Sequence, residues 1–340
     1  MTSLSSKITP KKVLQYVLLL VIAILLIYYS FKDINWEEFW AGLAGCNWWW
    51  IILSMIVGGL EFLLRALRWN LILRQIHSNN KILNEYRGIT IGNLSNFAIP
   101  RIGEIVRCSV VADTDKVPFE KALGSVVAER SWDLICLFLL TIYIFFSQNE
   151  FGNFIRRHIF NSENSFLSNT YLWIAAVVLI LVGSMVAWFI AKNQSAFTKK
   201  IKEKITATLS RLKDGFLAIF KMRQKWLFLS YTILLWISYL LTSYMTILAF
   251  DQLHSLNIND ALFLMIVGAL GWAVPVQAGI GSYHFIVSLA LMQLYSLSQS
   301  ESLAFATISH SSQAIVMIIL GVISVVLYTV NKRKILREKE

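Results

Sequence analysis

Pro275-Val276-Gln277-Ala278-Gly279-Ile280-Gly281 cuts in two an apolar stretch running from Leu262 to Leu294. Pro100-Arg101-Ile102-Gly103-Glu104 does the same to the stretch from Ile89 to Val111. The pieces on either side are about 8 to 14 residues, roughly 12–21 Å at ~1.5 Å per residue, too short to cross about 30 Å of hydrocarbon. Pro100 and Pro275 each remove a backbone donor and block the helical bond to the preceding turn. Gly103, Gly279 and Gly281 permit the conformations needed to turn back. Each stretch therefore reads as a re-entrant hairpin, helix–break–helix, that enters a membrane and leaves on the same side. Irregular backbone is not tolerated against lipid, so each break should be packed in protein or line a wet cavity. The alternative is a pair of kinked complete spans.

The surrounding composition makes a membrane the only suitable solvent. The 340 residues are 56% hydrophobic and 15% charged, with a mean hydropathy of +0.60. An ordinary soluble domain carries about 25% charged residues. Six segments have spanning length: Val13–Phe31, Trp48–Arg74, Pro118–Phe146, Tyr171–Ala191, Trp226–Phe250 and Leu303–Val330. The first is too long, and lacks the small-residue cleavage site, to be a removed signal segment. Aromatic residues such as Tyr28, Trp36, Trp40, Trp48, Trp49 and Trp226 cluster at the ends of these segments, where amphipathic rings prefer the headgroup level. The expected fold class is an all-α integral membrane protein: one domain over 1–340, six spanning helices and two re-entrant hairpins.

The net charge of +11 suggests nucleic acid until its distribution is considered. With the N-terminus inside, the outer segments 32–47, 148–170 and 251–302 hold only Lys32, Arg156 and Arg157 as cations, against eight acids. The remaining cations fall on the inner side or within spans, which is the positive-inside pattern. It implies an even number of crossings, both termini cytoplasmic, and the cell (inner) membrane as location. The connection from 192 to 225 carries Phe197, Ile201, Ile205, Leu209, Leu212 and Phe216 at helical spacing among many lysines. It reads as a basic amphipathic helix over about 194–222 on the anionic leaflet, or as a plain positive-inside loop. Cys46, Cys108 and Cys136 offer no CxxC and no metal-ligand spacing, so neither a disulfide framework nor a metal site is expected.

The two interrupted stretches also resemble one another. Asn84 lies sixteen positions before Pro100, and Asn259 sixteen before Pro275. Asn96-Phe97-Ala98-Ile99-Pro100 aligns with Gly271-Trp272-Ala273-Val274-Pro275, and the 122–128 run of small residues aligns with 304–310. Each half, about 48–147 and about 226–330, is then a span, a hairpin and a second span. Three crossings separate the first spans of the halves, so the copies must be inverted, a recurrent arrangement in transporters.

Ionisable residues at membrane depth cost at least ~2.5 kcal/mol each and default to a functional reading. Glu129, Arg130 and Asp133 lie eleven to fifteen residues past Pro118, deep in their span. The plainer account of them is a structural ion pair. In the other half the matching depth holds Thr307, Ser309, His310, Ser311, Ser312 and Gln313, a wet path or a set of interhelical hydrogen bonds. Arg101, Glu104 and Arg107 surround the first break. A half-helix starting near Ile102 would favour an anion, and two guanidinium groups suit a lipid phosphate, although positive-inside anchoring explains them too. Glu61 and Arg65, spaced i, i+4, read as structural.

Arg65-Ala66-Leu67-Arg68-Trp69, Pro100-Arg101-Ile102-Gly103-Glu104-Ile105-Val106-Arg107, Ala128-Glu129-Arg130-Ser131-Trp132-Asp133 and the Pro275…Gly281 break together resemble the flippase-like membrane family typified by the transmembrane region of lysylphosphatidylglycerol synthases. The resemblance covers nearly the whole chain and implies a lipid-translocating domain with two re-entrant hairpins. The sequence runs to Glu340, so the soluble domain that the synthases carry is not expected here. It also departs from the pattern at His284, where an acidic residue commonly follows the late glycine break.

These readings converge on a lipid flippase or transporter that moves an anionic or headgroup-modified lipid between leaflets. Its headgroup path is expected to involve Arg101, Glu104, Arg107, Glu129, Arg130, Asp133, His310 and Gln313. Membrane lipids are the expected partners, with no nucleic acid, no cofactor, no metal and no catalytic residues. No phosphate loop, HExxH or GxSxG occurs. Asp113-Thr114-Asp115 points only faintly to an integral enzyme using lipid-linked sugars. A non-transporting scaffold in envelope assembly is the other alternative.

Overall fold

A computed structural model describes residues 10–77, 80–147, 219 and 222–337. The expected span 171–191 and the amphipathic helix at 194–222 lie essentially outside them. Ten α-helices are described: α1 (Pro10–Phe31), α2 (Trp36–Ala44), α3 (Trp48–Leu73), α4 (Ile82–Ala98), α5 (Gly103–Thr114), α6 (Phe119–Ser147), α7 (Lys225–Leu248), α8 (Ile258–Ala273), α9 (Ser282–Tyr295) and α10 (Gln299–Arg337). No strand occurs among the described residues. Four helices, α3, α6, α7 and α10, are long and apolar enough to cross a membrane, and α1 with α2 makes a fifth if that bent pair is one span. Large apolar side chains face outward along them, among them Ile56 and Leu60 on α3, Phe138 on α6, Ile233 on α7, and Ile318 and Val322 on α10. A soluble protein rarely exposes apolar surface on this scale. The chain is a multi-pass membrane protein.

Local chemistry sets the helix boundaries. Asn35 caps α2 by accepting from the Glu37 and Glu38 N–H groups, and Asn47 caps α3 through Trp49 N at 3.1 Å. Asn257 and Asp260 form a reciprocal capping box at the start of α8. The residue before a proline is pushed out of the α region. Ile99 accordingly sits at φ −135°, ψ 121° and ends α4, and Val274 at φ −62°, ψ 134° ends α8. The helix α2 was not foreseen. It lies in the expected outer segment 32–47, bent 93° from α1, with Trp36 and Trp40 exposed.

The described residues fall into two compact units, Met1–Leu123 with Trp226–Glu340, and Gly124–Lys225. Within the first, both interrupted stretches fold as antiparallel helix hairpins. In the first hairpin α4 and α5 cross at Gly92 and Gly103: a Cβ on Gly92 would lie 2.5 Å from the Gly103 carbonyl oxygen, and one on Gly103 would clash with that of Gly92. In the second, α8 and α9 cross where Gly271 meets Tyr283, and the Ser282 hydroxyl donates to the Gly271 carbonyl at 2.7 Å. Asn96 and Gly271, four residues before their respective prolines, thus both lie at a hairpin crossing.

The helices α3 and α7 run antiparallel. Asn47 N donates to the Ala249 carbonyl at 2.7 Å, Glu61 accepts from the Thr242 hydroxyl at 3.3 Å, and the Arg68 guanidinium lies 5.8 Å from the Phe228 ring centre. Polar contacts gather at both ends of this unit. At one end Ser298 donates to Glu38 at 2.6 Å, Asn35 N to the Ser300 hydroxyl at 2.9 Å, and Gln299 to the Lys32 carbonyl at 2.9 Å. At the other, Lys332 donates to Asp113 at 2.7 Å, Asn84 to Asp115 at 2.6 Å, and Asn70 to Glu85 at 2.8 Å.

Candidate functional site

The two breaks meet. Arg101, at φ 61° in the turn after Pro100, extends its guanidinium so that Nη2 donates to the Ala273 carbonyl at 2.6 Å. That carbonyl belongs to the last turn of α8, where backbone acceptors have no helical partner and the helix dipole favours a cation. The single-turn 3-10 helix Gln277–Gly279 of the second break packs against α4.

The helix α5 begins at Gly103 rather than Ile102, and the Gly103 N–H is taken by Asn96 Oδ1 at 2.8 Å. One donor that would greet an anion is therefore already bonded inside the hairpin. Arg107 is 2% exposed, with its guanidinium 4.6 Å from the Trp69 ring centre and its Nε 2.9 Å from Glu104. Arg101 and Arg107 are thus not brought together as one grip. Arg101 faces the opposite hairpin, while Arg107, paired with Glu104 on its own helix, ties α5 to Trp69 of α3.

Around the second break the contacts are denser. His310 of α10 holds the Ala278 carbonyl through Nε2 at 2.9 Å; a carbonyl only accepts, so this nitrogen carries the proton. Ala278 is at φ 46°, and that hydrogen bond helps to hold the turn. Trp272 stacks on His310 with ring centres 4.8 Å apart, and His284 lies 4.9 Å from the same ring. Tyr283 and Ser309 share a 2.7 Å hydrogen bond. Gln313 donates to the Ser54 hydroxyl of α3 at 3.0 Å. Thr307 and Ser302 add buried hydroxyls with no hydrogen-bond partner among the described residues. The polar run on α10 therefore builds interhelical contacts at His310, Ser309 and Gln313, all within one unit.

In the second unit Arg130 lies 3.2 Å from Asp133 and 3.7 Å from Glu129, all on α6. Glu129 is fully buried and Arg130 partly exposed. The cation thus contacts acids of its own helix. Among the described residues no group of three or more His, Cys, Asp or Glu side chains is arranged to hold a metal.

Trp69, Asn96, Trp272 and Tyr283 belong to these arrangements and were not singled out as site residues. Alignment of the halves put Asn96 and Trp272 at adjacent repeat positions, a usable signal for both. Nothing in the sequence marked Trp69 as the platform for Arg107.

At the level of whole sequences, the family model described as the lysylphosphatidylglycerol synthase TM region matches residues 16–321. No curated protein and no solved structure matches the chain.

Proposed function

Because the chain belongs to the lysylphosphatidylglycerol synthase transmembrane-region family, we propose that it moves an anionic or headgroup-modified lipid between the leaflets of the cell membrane without altering it chemically. The observation that carries this reading is the Arg101–Ala273 hydrogen bond between two broken-helix hairpins. Such hairpins, entering from opposite sides and meeting near the midplane, are a transporter arrangement. The antiparallel pairing of α3 with α7 supports reading the halves 48–147 and 226–330 as inverted copies. The separation of polar contacts at the two ends of that unit supports the topology with 32–47 and 251–302 outside and 75–118 inside.

In this account the hairpins are re-entrant and Arg101 is the group that a lipid phosphate meets. A guanidinium bound to a single carbonyl retains donors, and phosphate, with more charge and paired oxygens, is the stronger acceptor. Exchange of Ala273 for phosphate would let the tips part while the acyl chains stay in lipid. Glu129, Arg130 and Asp133 are a second candidate contact for a headgroup, proposed from the cost of placing three ionisable groups on a spanning helix. Glu104 and Arg107 position α5, and Gln313 joins α10 to α3.

Mass spectrometry of lipids that co-purify with the protein tests the substrate class. An anionic or headgroup-modified species enriched over the bulk membrane is expected. Bulk composition alone would favour the scaffold reading, and turnover of an added lipid-linked sugar the enzyme reading.

A further inference from the structure

Beside the second break, two imidazoles from different helices lie in ring contact, and among the described residues no carboxylate touches either. His284 is 9% exposed and its Nδ1 has no hydrogen-bond partner among the described residues; His310 is 4% exposed and holds the Ala278 carbonyl. A buried polar atom without a partner marks a place for a proton or an ordered water. More such atoms follow on α9 and α10. Ser288, one turn after His284 on the same face of α9, is 5% exposed with an unpartnered hydroxyl. Thr307, one turn before His310 on α10, and the fully buried Ser302 also have unpartnered hydroxyls. The helices pack antiparallel, with Tyr283 on Ser309 and His284 on His310. Helical spacing therefore orders these groups from the histidine pair, through Ser288 and Thr307, toward Ser302 and the end of the unit that carries Ser300 and Glu38.

We propose that His284 and His310 bind a single proton, delivered through the hydroxyl path between α9 and α10, and that its uptake loosens the second break during lipid movement. The inference rests on the translocation reading above. A proton from water adds to the lone pair of a His284 ring nitrogen and yields one imidazolium, since charge on His310 would strengthen its bond to the Ala278 carbonyl rather than loosen it. A second proton would set two like charges about 5 Å apart, which a buried site resists. The facing groups are consistent with that limit. Tyr283 of α9 is engaged by Ser309, and Trp272 of α8 stacks on His310. Arg101 sits on the carbonyl of the residue after Trp272, the 3-10 turn offers the Ala278 carbonyl, and α1 approaches Gly281 with Ala23 and Ile27. On α3, Glu61 accepts from Thr242. Among the described residues no acid contacts either ring, so an added charge is balanced only when a substrate anion arrives or the break opens.

Two measurements on the full chain decide the matter. In liposomes with the membrane voltage clamped at zero, one proton per lipid predicts that a one-unit pH difference shifts the steady-state leaflet ratio of labelled anionic lipid by about tenfold. His284→Gln and Ser288→Ala should each bring that shift down toward onefold. Robust translocation with no gradient dependence would overturn the proposal and leave the translocation reading intact. Absence of translocation under every gradient would overturn that reading, and the site is then judged by nitrogen-15 NMR of histidine-labelled protein. The expected result is a His310 ring protonated at Nε2 when neutral and one proton taken up by the pair as the pH falls. Independent titration of both rings, or no uptake by either while the protein stays folded, would overturn the site.

Discussion

The Arg101 guanidinium reaches the Ala273 carbonyl at 2.6 Å across 172 residues of sequence, joining the turn of one hairpin to the last turn of the other. A hydrogen bond from a charged group contributes about 1.5–3 kcal/mol where it is sheltered and less where exposed, as Arg101 is. Arg101→Ala should therefore leave a folded protein. Translocation of anionic lipid should fall by about tenfold and that of zwitterionic lipid by much less. Arg101→Lys, which keeps charge but not the planar fork, should recover part of the loss. Equal loss for both lipids would assign Arg101 to architecture alone.

The crossing of α4 and α5 has no room for a methyl group. Gly92→Ala sets a Cβ 2.5 Å from a backbone oxygen that cannot swing aside. A loss of about 1–3 kcal/mol is expected, read as a drop in thermal unfolding temperature. Gly124→Ala, where none of the described residues lies within 4 Å of the added atom, should be neutral or stabilise by up to about 1 kcal/mol. Equal effects would mean that the hairpin is not packed this way.

Asp113 receives hydrogen bonds from Lys332 and from the Tyr328 hydroxyl, which hold its carboxyl below the usual range, with Lys332 the larger cause. A depressed carboxylate contributes stability above its unfolded pKa, about 3.9, and loses it as pH falls through the lower folded value. Both partners are partly exposed, so solvent screening keeps the contribution within about 1 kcal/mol. Asp113→Asn should lower the unfolding temperature slightly at pH 7, with the difference from wild type vanishing in strong acid. A difference that grows on acidification would refute this sign.

Buried pairs removed together are often tolerated by the fold. Glu129→Gln with Arg130→Met should insert and fold normally yet lose at least about tenfold of the translocation rate if these groups meet the headgroup. Full activity in that protein would remove them from the path.

Topology needs introduced thiols, because Cys46 and Cys108 are buried and would not report. Glu37 and Lys121 are exposed. A membrane-impermeant maleimide on intact cells should label Glu37→Cys and spare Lys121→Cys, with both labelled in opened membranes. The reverse pattern would invert the orientation.

Much of the architecture was legible because proline and length act locally. Pro100 and Pro275 ended their helices through the conformation imposed on Ile99 and Val274, and every expected span in the described residues became a helix with ends displaced by a few residues. The short helix α2 escaped because Trp36, Trp40 and two acids resemble an interfacial loop, and its cap, Asn35, is a single residue. Within the candidate site, composition exposed the charges but not their partners. Arg101 and Arg107 are six residues apart, yet the turn at Arg101 sends one to Ala273 while helix geometry carries the other onto Trp69. Such divergence depends on a backbone turn and a distant aromatic ring, neither of which local spacing encodes. The pairing of His284 with His310 is likewise long-range, and only the departure at His284 hinted at it.

Lipid translocation itself is the central claim, and its direct measurement is a leaflet-exchange assay. Purified protein, shown to be folded, is reconstituted with lipids from its own membrane and a headgroup-labelled anionic lipid. An impermeant reductant then quenches the label in the outer leaflet. The account predicts that labelled lipid leaves the protected inner leaflet faster than in protein-free liposomes, and that Arg101→Ala slows this selectively for anionic headgroups. Wild-type protein that never exceeds empty liposomes, with or without an imposed proton gradient, would contradict translocation and leave the scaffold reading in its place.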